Sequence, residues 1–134
     1  MTTIAKIYEL IYVSTLVPET PLTVVADIAS KARRFNGANG ITGLLVFDGM
    51  HFCQQLEGSL KQVLALLERI REDPRHTNLE MVHHGPLAQR RFRNFSLAYT
   101  TTDDETALAE LKQLDAQAAV DAFLALLWTL DLAP

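Results

Sequence analysis

One hairpin decides the fold, and it lies in residues 41–58, which read ITGLLVFDGMHFCQQLEG. Two short apolar runs, Ile41–Phe47 and Met50–Leu56, stand on either side of Asp48-Gly49. A dipeptide of this type between two apolar runs is the strongest short-range sign of a tight turn that joins antiparallel strands. The sequence therefore predicts two paired strands here.

The second strand of this hairpin carries an amide where a core residue is expected. Side chains alternate along a strand, so Gln54 shares a face with Phe52 and Leu56. A polar side chain that faces a core needs a hydrogen-bond partner, and a ligand can be that partner. Glutamine has a donor and an acceptor and reverses them when its amide rotates, which suits it to a hydrogen-bond switch.

The elements before the hairpin follow from turn residues and periodicity. A strand is predicted over Ile7–Ser14, where β-branched and aromatic residues are frequent. A helix is predicted next, with Thr20 as its cap and Pro21 at its first position. Asn36-Gly37 is expected to end this helix, because asparagine followed by glycine is a common helix stop.

The elements after the hairpin begin with a second helix. Ser59 and Gln62 form a capping box at its start, and it stops before Pro74. Two further strands are predicted over Leu79–His84 and Phe92–Thr100, with Gly85-Pro86 in their connection. Two C-terminal helices follow, marked by a capping box of Thr102 and Glu105 and by apolar stripes at Leu108, Leu111, Leu114, Val120, Phe123, Leu124, Leu127 and Trp128.

This order of elements predicts one α+β domain. It matches a ferredoxin-like βαββαβ plan with an added strand, written βαββαββ. We expect a single mixed sheet with two helices on one face and the C-terminal helices covering the other. Residues 1–100 are expected to form the core, and residues 101–134 a helical cap of the same domain.

Length and charge limit the classes of function. A chain of 134 residues with 49% hydrophobic residues is large enough for one domain with a real core. Twelve basic residues against sixteen acidic ones give a net charge of −4, which argues against binding nucleic acid or an anionic membrane. The short basic run Arg90, Arg91 and Arg93 is more typical of a solvated strand entry than of a binding patch.

Cysteine and histidine usage points away from disulfides, nucleophiles and metals. A single cysteine cannot form an internal disulfide, and Cys53 alternates away from Gln54, so it is expected to be a small buried hydrophobe. His83 and His84 point to opposite faces of a strand and cannot share a metal ion. With no signal peptide and no apolar run long enough to span a membrane, we expect a reduced, cytoplasmic protein.

Three polar side chains are expected to meet beneath the two helices. Tyr12 lies on one face of the first strand, Gln54 on one face of the third, and Asn36 at the end of the first helix. A phenol and two amides inside an apolar groove suit a flat heteroaromatic ligand. Judged singly, Tyr12 and Gln54 have commoner roles, as a core tyrosine and as a strand glutamine that faces water, and Asn36 fits a helix cap as well as it fits a ligand contact.

Five motifs then occur in the order of one family. They are Leu10–Ser14, Phe35–Gly43, Phe52–Gly58, Asp73–His76 and Arg90–Phe92. One of them alone is a weak signal, but five in order are specific, and they span nearly the whole chain up to Tyr99. In these motifs the sequence resembles the BLUF domain, the blue-light sensor that uses FAD.

The resemblance implies a flavin bound non-covalently between the two helices. Tyr12 takes the place of the family tyrosine that reduces the photoexcited flavin. Gln54 takes the place of the family glutamine, whose amide rotates or tautomerises and so shifts the flavin absorption to the red. Asn36 matches the asparagine that hydrogen-bonds the ring, and Arg75 and His76 match a basic pair near it. FAD is the expected flavin, with FMN and riboflavin as alternatives.

Three positions depart from the family pattern. Relatives usually carry a tryptophan and then a methionine on the fifth strand, where this chain has Phe95 and Leu97. Leucine keeps the volume of methionine without its polarisable sulfur, so Leu97 is still expected to contact the flavin, while the way in which the change at Gln54 is transmitted is expected to differ. The position of Phe35 is polar in several relatives, and a phenylalanine there is placed to stack on or shield the flavin ring.

The expected function is therefore that of a photoreceptor and not of an enzyme. The glycine-bearing segments form no anion-cradling loop, and no nucleophile has a base beside it. Because no effector domain follows Pro134, we expect a short stand-alone type that signals to a separate downstream protein or through self-association as a homo-oligomer. The alternative is a non-photoactive ferredoxin-like module that binds a ligand or a protein.

Overall fold

The computed structural model describes residues 7–92, 96–104, 106–127 and 129. Within them the chain runs through five strands and four helices in the predicted order. These are β1 (Ile7–Leu16), α1 (Thr23–Ala38), β2 (Thr42–Phe47), β3 (His51–Gly58), α2 (Leu60–Glu72), β4 (His76–Leu87), β5 (Ala98–Thr101), α3 (Ala107–Lys112) and α4 (Ala116–Leu127).

The five strands form one mixed sheet in the order β4-β1-β3-β2-β5. β1 runs antiparallel to both β4 and β3, β2 runs antiparallel to β3, and β5 joins β2 in parallel. The ferredoxin-like prediction of a single mixed sheet is confirmed. β1 and β3 are interior neighbours, and their register sets Tyr12 directly opposite Gln54.

Helices cover both faces of the sheet, as predicted. On one face α1 and α2 pack against side chains of β1, β2 and β3. On the other face α3 and α4 pack against the alternate residues of the same strands. The second face has a core built from Ile11, Val13, Leu44, Val46, Cys53, Leu108, Leu111, Val120 and Phe123. Burying each large apolar side chain contributes roughly 1.5–3 kcal/mol, which holds the C-terminal helices against the sheet.

The predicted hairpin is confirmed, and Asp48 is the residue that closes it. Its Oδ1 accepts hydrogen bonds from the backbone N–H groups of Met50 and His51, at 2.9 and 2.6 Å. Gly49 has a φ of +100°, which an L side chain rarely adopts, so the turn requires glycine at this position. This turn fixes the register of β2 on β3 and hence the face on which each β3 side chain lies.

The start and end of α1 differ from the prediction. The helix begins at Thr23 after Leu22, with no side-chain cap, so Thr20 is not its cap and Pro21 is not its first residue. It continues through Asn36 and Gly37 to Ala38. The stop is made instead by Gly40, which has a φ of +67° and lets Ile41 N–H donate to the carbonyl of Asn36 at 2.9 Å.

The predicted start of α2 is confirmed at its N-cap. The side chain of Ser59 accepts a hydrogen bond from the N–H of Gln62 at 3.2 Å, which satisfies one of the free donors at the helix start. The helix ends at Glu72, before Pro74, as predicted. Both ends of α2 are thus set by local sequence, and its buried side chains Val63, Leu66 and Leu67 face the sheet.

β4 is longer than predicted, and Gly85-Pro86 lies inside it rather than in a connection. β4 is an edge strand, and Pro86 pairs with Tyr8 on its inner side. Proline has no N–H to donate, and an edge strand tolerates that loss. The pairing of β4 with β1 shifts register between Ile11 and Tyr12 and again between Val13 and Thr15, and Asn78, opposite the second shift, adopts a φ of +52°.

The C-terminal third departs from the prediction in two places. β5 starts at Ala98, not at Phe92, because Phe92 leaves the sheet and packs with α3 and α4. Before α3, Asp104 Oδ1 accepts from the N–H groups of Thr106 and Ala107, whereas among the described residues the Thr102 hydroxyl accepts only from the N–H of Asp104, so Thr102 is not the helix cap. Glu105, Trp128, Phe95 and Arg93 lie outside the described residues.

Candidate functional site

The site is built on the pair Tyr12 and Gln54, which face each other across β1 and β3. The Tyr12 hydroxyl donates a hydrogen bond to Gln54 Oε1 at 2.5 Å. Only 1% of Tyr12 and 3% of Gln54 are exposed. The predicted meeting of these two side chains is confirmed, and the commoner role of Gln54 as a strand residue facing water does not apply.

A groove opens above this pair, between the sheet and the helices α1 and α2. Its walls are mostly apolar, and its volume is about 170 Å³. Five of the seven predicted binding residues line it, namely Tyr12, Phe35, Gln54, Arg75 and His76. The remaining lining residues are Ile28, Lys31, Ala32, Leu45, Leu66, Arg69, Ile70 and Asp73.

His76 forms one end of the groove. Its ring lies edge-on to Tyr12 and 4.8 Å from the ring of Phe52, measured between centroids, and its Nδ1 shares a 2.9 Å hydrogen bond with Ser14 Oγ. Burial lowers the pKa of His76, and the charge of Arg75 lowers it further, while Asp73 partly opposes both. A neutral imidazole whose orientation is fixed by Ser14 therefore faces the groove at pH 7.

Arg75 is held at the groove by two carboxylates. Its side chain donates to both oxygens of Asp73, with Nη2 at 2.7 Å from Oδ2, and Nη1 lies 3.3 Å from Asp27 Oδ2. These contacts raise the pKa of Arg75 and keep that of Asp73 below its ordinary value, despite the burial of the carboxyl group. The guanidinium is therefore fixed in place beside His76.

Phe35 and Arg69 form a stacked pair on the helical side of the groove. The guanidinium carbon of Arg69 lies 4.2 Å from the centre of the Phe35 ring, within the range of a cation–π contact. Sequence reasoning found Phe35 but missed Arg69 and Lys31. The missed signal for Lys31 is its helical spacing with Ile28 and Phe35, which places it on the same face of α1.

The two other predicted binding residues do not line the groove. Asn36 is fully buried, and its Nδ2 donates to the carbonyl of Ser96 at 2.8 Å. Its Oδ1 is buried and has no hydrogen-bond partner among the described residues. Leu97 is 3% exposed and packs with residues of α1, β2 and β3. Flavin contact by either residue stays a prediction.

Two buried acidic groups on the opposite face of the sheet were missed. Glu9, Gln55 and Glu57 are all 0% exposed, and with Arg91 they form what we call the buried polar cluster. Gln55 Nε2 donates to Glu9 Oε2 and to Glu57 Oε1, both at 2.8 Å. Arg91 Nε donates to Glu9 Oε2 at 2.6 Å. The overlooked signal is that these strand residues alternate onto the face that the C-terminal helices cover.

Arg90 and Arg91, which were predicted with Arg93 to form a solvated strand entry, make specific contacts within the fold. Arg90 donates to the backbone carbonyls of Gly40 and Glu57 and to the hydroxyl of Thr42, at 2.7 to 3.1 Å. Arg91 pairs with the buried Glu9, and this contact raises the pKa of Arg91. Both side chains therefore connect the segment after β4 to the strands and to the end of α1.

Cys53 lies on the face opposite Gln54, as predicted, and is fully buried. Burial raises the pKa of its thiol to about 12, so the thiol is protonated and unreactive at neutral pH. Burial also raises the pKa of Tyr12 far above its ordinary value, so its phenol keeps the proton that it donates to Gln54.

Two further classes of site find no support in the part of the chain that the structure describes. No group of three or more His, Cys, Asp or Glu side chains is close enough to hold a metal ion. Among the described helices, none is both long and apolar enough to cross a bilayer.

Comparison with known proteins identifies the family. Residues 7–98 match the family described as BLUF, sensors of blue-light using FAD. The chain belongs to this family. BLUF proteins are blue-light flavin sensors, so the function predicted from the five motifs is confirmed at that level, and the alternative of a non-photoactive module is not favoured.

Relatives of known name share this BLUF region. The chain is 40% identical over 83 residues to the blue light- and temperature-regulated antirepressor BluF of Escherichia coli (strain K12). That match covers 62% of this chain but only 21% of BluF, so the chain spans about a fifth of that relative.

Two solved BLUF structures resemble the whole described fold. The dark-state structure of BlrB, a BLUF protein, matches with a TM-score of 0.76 at 28% identity. The match covers 93% of this chain and 97% of the BlrB chain. Photo-activated BlsA has a TM-score of 0.79 at 28% identity, with 96% and 99% covered.

The residues of the groove fit a flavin. Gln54 lines the groove, and its Nε2 donates to no acceptor among the described residues, so this amide end is left for a ligand. Asn36 Oδ1 also has no partner among the described residues, and buried polar atoms are rare without one, but Asn36 does not line the groove. A volume of about 170 Å³ is below the roughly 300–1,000 Å³ of typical small-molecule sites, so the groove as it stands holds only part of a flavin.

Proposed function

We propose that this BLUF domain binds FAD in the groove and that Tyr12 and Gln54 are its photochemical pair. The observation that carries the proposal is the buried 2.5 Å hydrogen bond from Tyr12 to Gln54 Oε1, at the base of the groove. When bound, a flavin supplies absorption of blue light and an excited ring that accepts an electron. FAD is proposed over FMN or riboflavin because the family description names it.

Tyr12 is the proposed source of one electron and one proton. Because burial raises its pKa, the proton stays on Tyr12 Oη in the dark, directed at Gln54 Oε1. Both the electron and the proton return to Tyr12 before the red-shifted state forms. This state then differs from the dark state only in its hydrogen bonds, and thermal recovery reverses that difference, so the cycle leaves no net chemistry. The groove around it is mostly apolar, which limits exchange of this proton with bulk water.

Gln54 is the proposed switch. In the dark its Oε1 is fixed as an acceptor by Tyr12, and its Nε2 is left to the groove. Once the Tyr12 hydroxyl stops donating, the amide is free to rotate or tautomerise and to present a different group to the groove. The red-shifted state is the state with this reversed hydrogen bond.

The other predicted residues would hold the cofactor. Phe35, backed by Arg69, offers an aromatic face, and Arg75 and His76 offer polar contacts at the far end of the groove. Asn36 would use its free Oδ1, and Leu97 would pack behind Gln54. These roles are proposals that rest on placement and on the family pattern.

The signal is proposed to pass to a separate downstream protein or through a homo-oligomer in the cytoplasm, and the domain itself to catalyse no reaction. The E. coli relative is named as a light-regulated antirepressor, which supports output by interaction. The proposed output surface is β5 with the helices α3 and α4. Unchanged oligomeric state and unchanged hydrogen exchange of residues 92–134 in light would contradict this.

The test is an absorption spectrum of the purified protein in the dark and directly after blue light. We expect a flavin spectrum that moves reversibly to the red. A Gln54→Leu protein should bind flavin without this shift, whereas Gln113→Leu, at an exposed glutamine of α3's C-cap, should shift normally. A normal shift in Gln54→Leu refutes the switch, and absence of flavin even after reconstitution refutes the whole proposal.

A further inference from the structure

The buried polar cluster lies on the opposite side of the sheet from the groove, and both the Gln55 amide and Arg91 join its two carboxyl groups. Gln55 Nε2 donates to a carboxyl oxygen of Glu9 and to one of Glu57, both at 2.8 Å. All three side chains are fully buried. Removing this amide would therefore leave buried carboxyl oxygens short of a donor.

Glu57 ties the cluster to the segment after β4. Its Oε1 accepts from the backbone N–H of Arg91 and its Oε2 from that of Phe92, both at 2.9 Å. The hydroxyl of Thr42 also donates to Oε2, at 2.8 Å. Together with Gln55, four donors converge on this one side chain, as an acceptor-only carboxylate requires. The position of Phe92 is consequently set by β3.

Phe92 carries the contact on to the C-terminal helices. Its ring packs edge-on against Phe123 of α4, with the centroids 6.5 Å apart and the planes at 81°. Phe92 is 8% exposed and belongs to the same apolar cluster as Leu108, Leu111 and Phe123. A continuous set of contacts thus runs from Gln55 through Glu57 and Phe92 to α4.

Gln55 is also the residue directly after Gln54, with its side chain on the other face of β3. Its Oε1 is buried and unpartnered among the described residues, so the amide is held at its nitrogen end only. A displacement of the β3 backbone at Gln54 must move Gln55 through the shared peptide bond. That movement displaces the Gln55 amide and, through its two hydrogen bonds, the carboxyl groups of Glu9 and Glu57.

We propose that Gln55 and Glu57 are positioning residues that transmit the rearrangement of Gln54 through β3 to Phe92 and helix α4. This inference rests on the proposed function, because it needs a light-driven change at Gln54. The route uses side-chain hydrogen bonds and aromatic packing. It therefore does not depend on the methionine that Leu97 replaces.

The experiment compares flavin-loaded wild type with Gln55→Leu, which keeps the side-chain size and removes the hydrogen bonds. Two quantities are measured: the red shift after blue light, and the light-minus-dark difference in amide hydrogen exchange over residues 116–127. We expect wild type to show both. Gln55→Leu should keep the red shift, because residue 55 faces away from the groove, and lose the light-induced difference in α4.

Two further variants keep the test decisive. Gln89→Leu, at an exposed glutamine two residues before Arg91, is the matched control and should behave as wild type. If Gln55→Leu does not fold, Phe92→Leu removes the ring contact with Phe123 while leaving the polar cluster, and it should lose the α4 difference too.

The failures are distinguishable. A wild type without a red shift overturns the proposed function and this inference with it. A wild type with a red shift but with an unchanged α4 overturns this inference alone. So does a folded Gln55→Leu or Phe92→Leu protein that retains the full light-induced difference in α4.

Discussion

Tyr12 and Gln54 are cross-strand partners on β1 and β3, and the phenol of the first donates a 2.5 Å hydrogen bond to the amide oxygen of the second. Both side chains are almost completely buried, so this bond has no competition from bulk water. The bond also defines which end of the Gln54 amide reaches the groove. The hydrogen bond from Tyr12 therefore fixes the orientation of the Gln54 amide.

Replacing Tyr12 by phenylalanine should abolish the red shift while flavin stays bound. The variant lacks the proposed electron and proton donor and leaves Gln54 Oε1 without its hydrogen-bond donor, at a cost of about 1–3 kcal/mol in the free energy of unfolding. Light-minus-dark spectra and urea unfolding measure the two effects. Tyr8→Phe is the control, since Tyr8 lies on the same face of β1 but its hydroxyl bonds His84. A shift that survives in Tyr12→Phe contradicts the proposed role.

The buried thiol of Cys53 should make the protein lose stability in alkali. Its pKa is about 12 in the folded state, against an ordinary value of 9.0, so between these values the unfolded chain gives up a proton that the folded chain keeps. Stability therefore falls as the pH rises above 9, by about 1.4 kcal/mol per pH unit from this one group.

A Cys53→Ala protein isolates that effect. Its free energy of unfolding is expected to fall less steeply with pH than that of wild type, and the two curves should converge above pH 9. Urea titrations at several pH values between 8 and 10 give the two slopes, in a window below the ordinary pKa of tyrosine. Parallel curves would show that the thiol is not protected by burial.

The charge of Asp73 should keep the pKa of His76 higher than it would be without this carboxylate. Burial is the largest influence and lowers this pKa, and Arg75 lowers it as well, whereas Asp73 raises it. Asp73→Asn removes the raising influence, so the pKa of His76 is expected to fall further below 6.5. An NMR titration of the His76 ring protons measures it, with Asp103→Asn, at an exposed aspartate, as the control. An unchanged or higher pKa in Asp73→Asn contradicts this electrostatic account.

Removing the partner of Glu9 should destabilise the fold more than removing a surface ion pair. Arg91→Met leaves the fully buried Glu9 without its 2.6 Å partner, and the expected cost is about 2–4 kcal/mol. Arg71→Met breaks an exposed contact with Glu68 at 3.7 Å and should cost at most about 1 kcal/mol. Chemical unfolding gives the loss of free energy of unfolding for each variant. Equal losses would mean that the buried pair contributes no more stability than the exposed pair.

Gly43 should not tolerate even one added methyl group. A Cβ atom there would lie 2.0 Å from the backbone oxygen of Gln55 and 3.3 Å from its side-chain Oε1. Gly43→Ala is expected to lower the free energy of unfolding by about 1–3 kcal/mol. Gly37→Ala is the comparison, because its Cβ would meet Ser96 at an ordinary 3.7 Å inside a helix. Equal stability of the two variants would show that β2 can move away from Gln55.

Local rules predicted the elements whose signals are local. The Asp48-Gly49 turn and the serine cap of α2 depend on residues within a few positions of each other, and both were found. Alternation along β1 and β3 was enough to bring Tyr12 and Gln54 together. The groove was therefore largely predictable from sequence.

What failed depends on neighbours far along the chain. Pro86 suggests a break in the strand unless β4 is known to be an edge, and strand order is a tertiary property. Phe92 looks like a strand residue until α4 is present to pack against it. Arg91 looks solvated because its partner Glu9 lies 82 positions away in sequence. Charged residues of this kind become informative only once the register of the sheet is known.

The two faces of β3 carry different polar side chains, and the hairpin turn determines which face each of them occupies. Even-numbered Gln54 belongs to the groove, and odd-numbered Gln55 and Glu57 belong to the opposite layer. Because strand residues alternate, deleting a single residue from the turn around Gly49 would exchange the two sets, sending Gln55 and Glu57 toward the groove and Gln54 toward the C-terminal helices. The length of one turn thus assigns Gln54 to the layer of the groove, and Gln55 and Glu57 to the layer of the C-terminal helices, so the proposed division of roles between the two faces depends on the parity of positions along β3.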